Sequence, residues 1–231
     1  MLPGVTRRQP DIFAIVQGAF RDAWPVMRSR AGIYGLLAAL CALGALAVPF
    51  AYLADADLQQ EVRLQMALQP ANLCGAVASF FAMAAVARTE RPGFELTFVR
   101  VLAVVGIAIA VGAAAEFALV LLILPGVWIG TKWSLATWTY LLSDGENPFG
   151  ESWAITTGHF WETFAYAILM AIAVGVLLAA GFFLPAFLAY LLPPAAVVLV
   201  PIAFLAYVFA YHVTFLGQMR LMLELRRLAA G

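Results

Sequence analysis

Between Ile33 and Leu216 the sequence breaks into six apolar runs, and that pattern constrains the fold more than any motif. The runs are Ile33–Leu53, Ala71–Ala87, Phe98–Leu124, Val127–Leu142, Phe164–Leu192 and Ala195–Leu216. A helix needs about 20 apolar residues to cross the hydrocarbon layer. The third and fifth runs are long enough to tilt, whereas the second and fourth are short. None alternates with a period of two, so helices rather than a barrel must satisfy the backbone in lipid. The expectation is an all-α, polytopic membrane bundle of about six transmembrane helices.

Composition agrees. Of 231 residues, 65% are hydrophobic and 11% charged, where soluble domains run at about 45–50% and about 25%. A soluble chain this apolar would expose aggregating patches. Thirteen basic and thirteen acidic residues cancel, which gives no reason to expect nucleic acid as a partner. One integral membrane domain spans 1–231: a leader over 1–31, the bundle over 32–218 and a basic tail over 219–231. The leader is charged and precedes the first run, which fits a first span better than a cleaved signal peptide. Cys41 and Cys74 lie inside apolar runs and read as small apolar filler.

The basic residues orient the chain. Arg7, Arg8, Arg21, Arg28 and Arg30 precede the first run; Arg88, Arg91 and Arg100 separate the second from the third; Arg220, Arg226 and Arg227 follow the sixth. Eleven of the thirteen therefore fall on one side, which the positive-inside rule makes cytoplasmic, with both termini. Arg63 lies in the first outer loop beside Asp55, Asp57 and Glu61. The loop from Asp144 to Trp161 has no basic residue and joins the inner side by parity alone.

Two amphipathic segments flank the spans. In "DIFAIVQGAFRDAWPVMRSR", Asp11 caps a helix that Pro25 disturbs. Ile12, Phe13, Val16, Phe20, Trp24 and Met27 share one face, bordered by Gln17, Arg21 and Arg28. That is the pattern of a helix lying in the headgroup layer, although the same face would also pack beneath the bundle. In "ENPFGESWAITTGHFWETF", Asn147 caps, Pro148 takes the first helical position and Gly158 ends a short interfacial helix.

Within the spans, Glu116 is the only acid in mid-run. It lies nine residues before the Pro125-Gly126 turn, and Lys132 lies seven after that proline. Their depths below the turn are roughly 13 Å and 10 Å, so in an antiparallel hairpin they can face each other. An unpaired charge at mid-span costs about 2.5–3.5 kcal/mol, which favours pairing or a water-filled cavity. Such a pair can lock a hairpin, relay a proton or ion, or anchor an anionic headgroup. Thr131 and Ser134 beside Lys132 belong to the same candidate ligand or ion site. Small-residue rows on the third run and polar residues all round the fourth place these two spans at the centre of the bundle. Trp128 is expected as an interface anchor, and Trp133 and Trp138 as packing.

Weaker candidates gather at the cytoplasmic mouth: His159, three residues before Glu162; His212 late in the sixth run; and Glu151, with Asp144 and Glu146 nearby. Together they suit a metal or phosphate-ester site, but a satisfied interfacial histidine explains each imidazole as well. The sequence contains no nucleophile elbow, phosphate-cradling glycine loop or zinc motif, so no catalytic residue, metal or cofactor is assigned.

The stretch Leu124–Phe164 holds Pro125-Gly126, Lys132, Ser152-Trp153, Thr156-Thr157-Gly158 and Phe160-Trp161. In these elements it resembles the bacterial "glycerophosphoryl diester phosphodiesterase membrane domain" family of uncharacterised six-span proteins. The resemblance implies a bacterial cytoplasmic membrane. The soluble phosphodiesterase fused to some members would not fit in this length, so that activity does not carry over. Glu146 and Glu151 stand where basic residues would be expected around Ser-Trp. The expectation is a non-enzymatic membrane module that interacts with lipids, a protein partner or a second copy of itself. A small transporter using Glu116 and Lys132 in a central cavity is the first alternative. A membrane enzyme acting on phospholipids or glycerophosphodiesters is the second.

Overall fold

The computed structural model describes residues 9–45, 60–121, 123–143 and 147–230; these are predominantly helical, with no strand among them. The helices are α1 (Ile12–Arg28), α2 (Ala31–Ala45), α3 (Gln60–Glu90), α4 (Phe98–Leu121), α5 (Ile123–Trp133), α6 (Ala136–Ser143), α7 (Pro148–Thr156), α8 (Phe160–Leu178), α9 (Leu184–Leu191) and α10 (Ala196–Ala230). Arg7, Arg8, Asp55, Asp57, Asp144, Glu146 and the end of the expected first span lie outside the described residues, as do the side chains of Glu61 and Arg63.

Among the described residues, four stretches are long and apolar enough to cross a membrane: Leu73–Glu90, Phe98–Phe117, Phe160–Ala189 and Ala196–Ala229. A fifth arises if α1 and α2, bent by 82° at their junction, count as one broken span. The chain is thus a membrane-embedded helical bundle. The expected fourth span is not one helix, because a turn at Ser134-Leu135 divides it into α5 and α6.

The centre is α10, not the third and fourth runs as the sequence suggested. Helices α1, α2, α3, α8 and α9 all pack on it, whereas α4 packs chiefly on α5. On α4, Val104 and Ile107 are buried while Val99, Leu102, Ile109 and Phe117 face outward. Two cores are stacked along α10. The first gathers Val213, Leu216, Met219, Met222 and Leu225 with Ala19, Val86 and Trp138. The second gathers Ala196, Val200, Phe204 and Val208 with Leu37, Cys41, Ala78 and Ala189. At 1.5 Å per residue α10 is roughly 52 Å long, against about 30 Å of hydrocarbon. The surplus length is clothed by α1 and α7.

Close approach depends on glycine. Between α8 and α9 the chain makes a π-helical turn, Ala179–Phe183. Pro185 cannot donate to the carbonyl four residues back and would clash with it; the wider turn relieves that conflict. Gly181 within the turn lies against α10, where a Cβ would come 2.7 Å from the Cβ of Ala206. Without a strong hydrophobic drive between helices in lipid, such small-residue contacts carry much of the packing.

Helix α1 begins as expected, with the Asp11 carboxylate accepting from the Ala14 amide at 3.0 Å. It runs through Pro25 to Arg28. Val16, Ala19, Ala23 and Met27 are buried, while Phe13 and Trp24 are 75% and 59% exposed. The helix thus packs against α10, as one of the two expected readings has it, and also presents large apolar groups outward. Asp22 fastens it by accepting from Arg220.

Candidate functional site

Lys132 sits in the last turn of α5, where carbonyls lose their intrahelical partners. Helix α7 supplies replacements. Asn147 starts that helix by accepting from the Gly150 amide at 2.9 Å, and Pro148 occupies its first turn. Gly158, at φ 89°, turns the chain out. Between these ends, Ser152 points inward and donates to the Lys132 carbonyl at 2.7 Å, while Thr156, 3.4 Å from the same carbonyl, donates to the Ser152 carbonyl at 2.8 Å.

The Lys132 side chain is 5% exposed. Its ammonium donates to the Thr157 hydroxyl at 3.2 Å and lies 5.9 and 5.5 Å from the ring centres of Trp128 and Trp153. The two indoles meet edge to face at 4.6 Å. Cation–π contact contributes about 0.5–2 kcal/mol depending on desolvation, so the rings stand in for a counterion. Pro125-Gly126, Lys132, Ser152-Trp153 and Thr156-Thr157-Gly158, separate in sequence, thus belong to one helix pair.

The expected pair of Lys132 with Glu116 does not form. Glu116 is exposed and makes no ion pair among the described residues. Helices α4 and α5 do run side by side, with a Cβ on Gly130 lying 3.7 Å from that of Ala115. Matching depth on two helices does not fix the facing direction, and the two tryptophans and Thr157 attract the lysine to the other side. Thr131 and Ser134 serve their own helix, donating to the carbonyls of Val127 and Thr131 at 2.8 and 2.9 Å. Trp133 packs on Phe149 and Trp138 is fully buried.

The other candidates are dispersed. Glu151 accepts from Arg226 and, at 3.0 Å, from the Ser143 hydroxyl, tying α6, α7 and α10 together. His159 is buried with Nδ1 3.8 Å from Glu162. His212 is fully buried on α10. Its Nδ1 donates to the Val208 carbonyl at 2.9 Å, which leaves Nε2 to accept from Tyr34 at 3.2 Å. That tautomer satisfies the ring completely. Among the described residues, no three His, Cys, Asp or Glu side chains gather as metal ligands would.

A cavity lies elsewhere, at the elbow between α1 and α2. It measures about 600 Å³ and is bounded by Trp24, Met27, Arg28, Ala31, Tyr34, Gly35 and Ala38, with Leu205, Ala206 and Phe209 of α10 opposite. Its wall is almost wholly apolar. Arg28, also in the lining, is exposed and has no ion-pair partner among the described residues. The sequence placed Trp24 and Arg28 on and beside one helical face. It gave no sign of the 82° bend that turns that face into a cleft.

Comparison with known proteins returns no matching family model, no similar curated protein and no similar solved structure.

Proposed function

We propose that this chain is a non-enzymatic integral membrane module that binds anionic lipid. The observation that carries the proposal is the elbow cleft, an apolar cavity of about 600 Å³ whose lining includes the exposed Arg28, which has no ion-pair partner among the described residues. Small-ligand sites commonly have about this volume, with apolar walls and few polar groups. In this reading α1 lies in the headgroup layer and meets the crossing α2 at the interface, with the cleft between them. An acyl chain can then lie against Tyr34, Ala38 and Phe209 while the lipid phosphate meets Arg28.

The charge pattern supports a bacterial cytoplasmic membrane with both termini inside, and six crossings if α5 and α6 form the fourth. The clustering of the Pro-Gly, Lys132, Ser-Trp and Thr-Thr-Gly elements supports kinship with the glycerophosphoryl diester phosphodiesterase membrane domains. Glu151 held by Arg226 and His212 held by Tyr34 act as braces in this reading, not as a reacting pair.

The test is native mass spectrometry of the detergent-purified protein titrated with phosphatidylglycerol or phosphatidylcholine. A basic side chain near an anionic surface contributes about 1 kcal/mol. Arg28→Gln should therefore cut phosphatidylglycerol retention about fivefold and leave phosphatidylcholine unchanged. Equal retention of both lipids by the native protein would overturn the proposal.

A further inference from the structure

A second cavity, of about 230 Å³, lies between α8, α10 and the turn that separates α5 from α6. Thr214, Gly217 and Gln218 share one face of α10, at spacings of three and four residues. Gly217 lets Tyr166 come down onto this face, because a Cβ there would lie 2.4 Å from the tyrosine hydroxyl. Tyr166 is 4% exposed, and its hydroxyl has no hydrogen-bond partner among the described residues. A buried polar group without a partner is costly and calls for an explanation.

The flanking groups show what is missing. The Gln218 carbonyl oxygen accepts from the Trp138 indole at 3.2 Å, which leaves its amide hydrogens to donate. The Ser134 hydroxyl donates to the Thr131 carbonyl, which leaves its oxygen to accept. Tyr166, Thr214 and Gln218 therefore offer donors, and Ser134 an acceptor, around one space whose other walls are Leu135, Met170 and Val174. No charged side chain lines it. The lining residues Ala167 and Ala171 are exposed beside Ile168 and Ile172, so the cavity borders the lipid-facing surface of α8.

We infer that this cavity binds the neutral ester head of an uncharged lipid of the diacylglycerol class. An ester carbonyl accepts from Tyr166 and Gln218, and the free glycerol hydroxyl donates to Ser134. An anionic headgroup is disfavoured, since nothing in the lining would neutralise it. The site is separate from the elbow cleft and rests on the reading of the chain as a lipid-binding module only in taking its ligand from the bilayer.

Thermal unfolding of the delipidated full-length protein in detergent tests this, with dioleoylglycerol as the probe. Binding to the native state alone should raise the native protein's Tm by several degrees. Tyr166→Phe should be no less stable than the native protein without the probe, since it removes an unpartnered hydroxyl, and should lose most of the shift. Thr214→Val should weaken it. An equal shift in native protein and Tyr166→Phe, or none in either, would overturn the inference. So would an equal shift with triacetin, a water-soluble ester, which would place the ligand's source outside the bilayer. Arg28→Gln should keep the dioleoylglycerol shift while losing that of phosphatidylglycerol. In the native protein, a phosphatidylglycerol shift with no dioleoylglycerol shift would sink this cavity and leave the elbow cleft standing.

Discussion

The hydroxyl of Ser152 donates to the backbone carbonyl of Lys132 across 2.7 Å, joining α7 to α5 past the intervening α6. Ser152 is fully buried. A buried hydrogen bond of this kind contributes about 0.5–1.5 kcal/mol, and leaving its acceptor unpaired costs more. Ser152→Ala should destabilise the protein by about 1–2 kcal/mol, and adding Thr156→Val should deepen the loss. Denaturant titration in detergent, followed by tryptophan fluorescence, reads both.

Lys132 and Glu116 should be energetically independent. In a double-mutant cycle built from Lys132→Met and Glu116→Gln, the coupling should stay below about 0.5 kcal/mol, the usual limit for sites without shared partners. The cycle of Lys132→Met with Trp153→Leu should show a larger coupling of about 0.5–1 kcal/mol. The reverse order would restore the ion pair expected from sequence.

Glycine positions give a sharp steric prediction. Gly181→Ala brings two methyl groups on opposed backbones to 2.7 Å, and overpacking of this sort costs about 1–3 kcal/mol. Gly175→Ala on the same continuous stretch meets nothing within 4 Å and should be neutral or slightly stabilising. Paired unfolding curves of the two variants check this.

The clasp between α1 and α10 should respond to acid. Arg21, and then Arg220, hold the Asp22 carboxyl down from an ordinary 3.8 to about 2. Because the folded value is depressed, the clasp contributes fully above about pH 4 and fades as pH falls through 2. Partial exposure limits the effect to about 1 kcal/mol or less. Stability of the native protein should fall between pH 4 and 2 more steeply than that of Asp22→Asn, as measured by thermal unfolding across that range.

What was legible in the sequence follows the physics of each signal. Asp11, Asn147, Pro148 and Gly158 mark helix ends through local chemistry, and all four do so here. The break at Ser134-Leu135 has no proline or glycine to announce it; it is sustained by Ser152, distant in sequence, which donates to the Lys132 carbonyl. The central position of α10 was hidden because helices apolar on every side carry no directional pattern. Residue depth along α4 and α5 was readable, but not facing, so Glu116 and Lys132 looked like partners. The elbow cleft depends on the angle between two helices, and the Tyr166 cavity on a glycine two helices away; neither leaves a trace in local sequence.

The most direct test of the lipid-binding account is electron paramagnetic resonance of spin-labelled lipids in reconstituted bilayers. The measured quantity is the motionally restricted fraction of labelled phosphatidylglycerol relative to labelled phosphatidylcholine. A guanidinium at the lip of the elbow cleft predicts a ratio above one that falls toward one in Arg28→Gln. A ratio unchanged by that substitution would contradict the account.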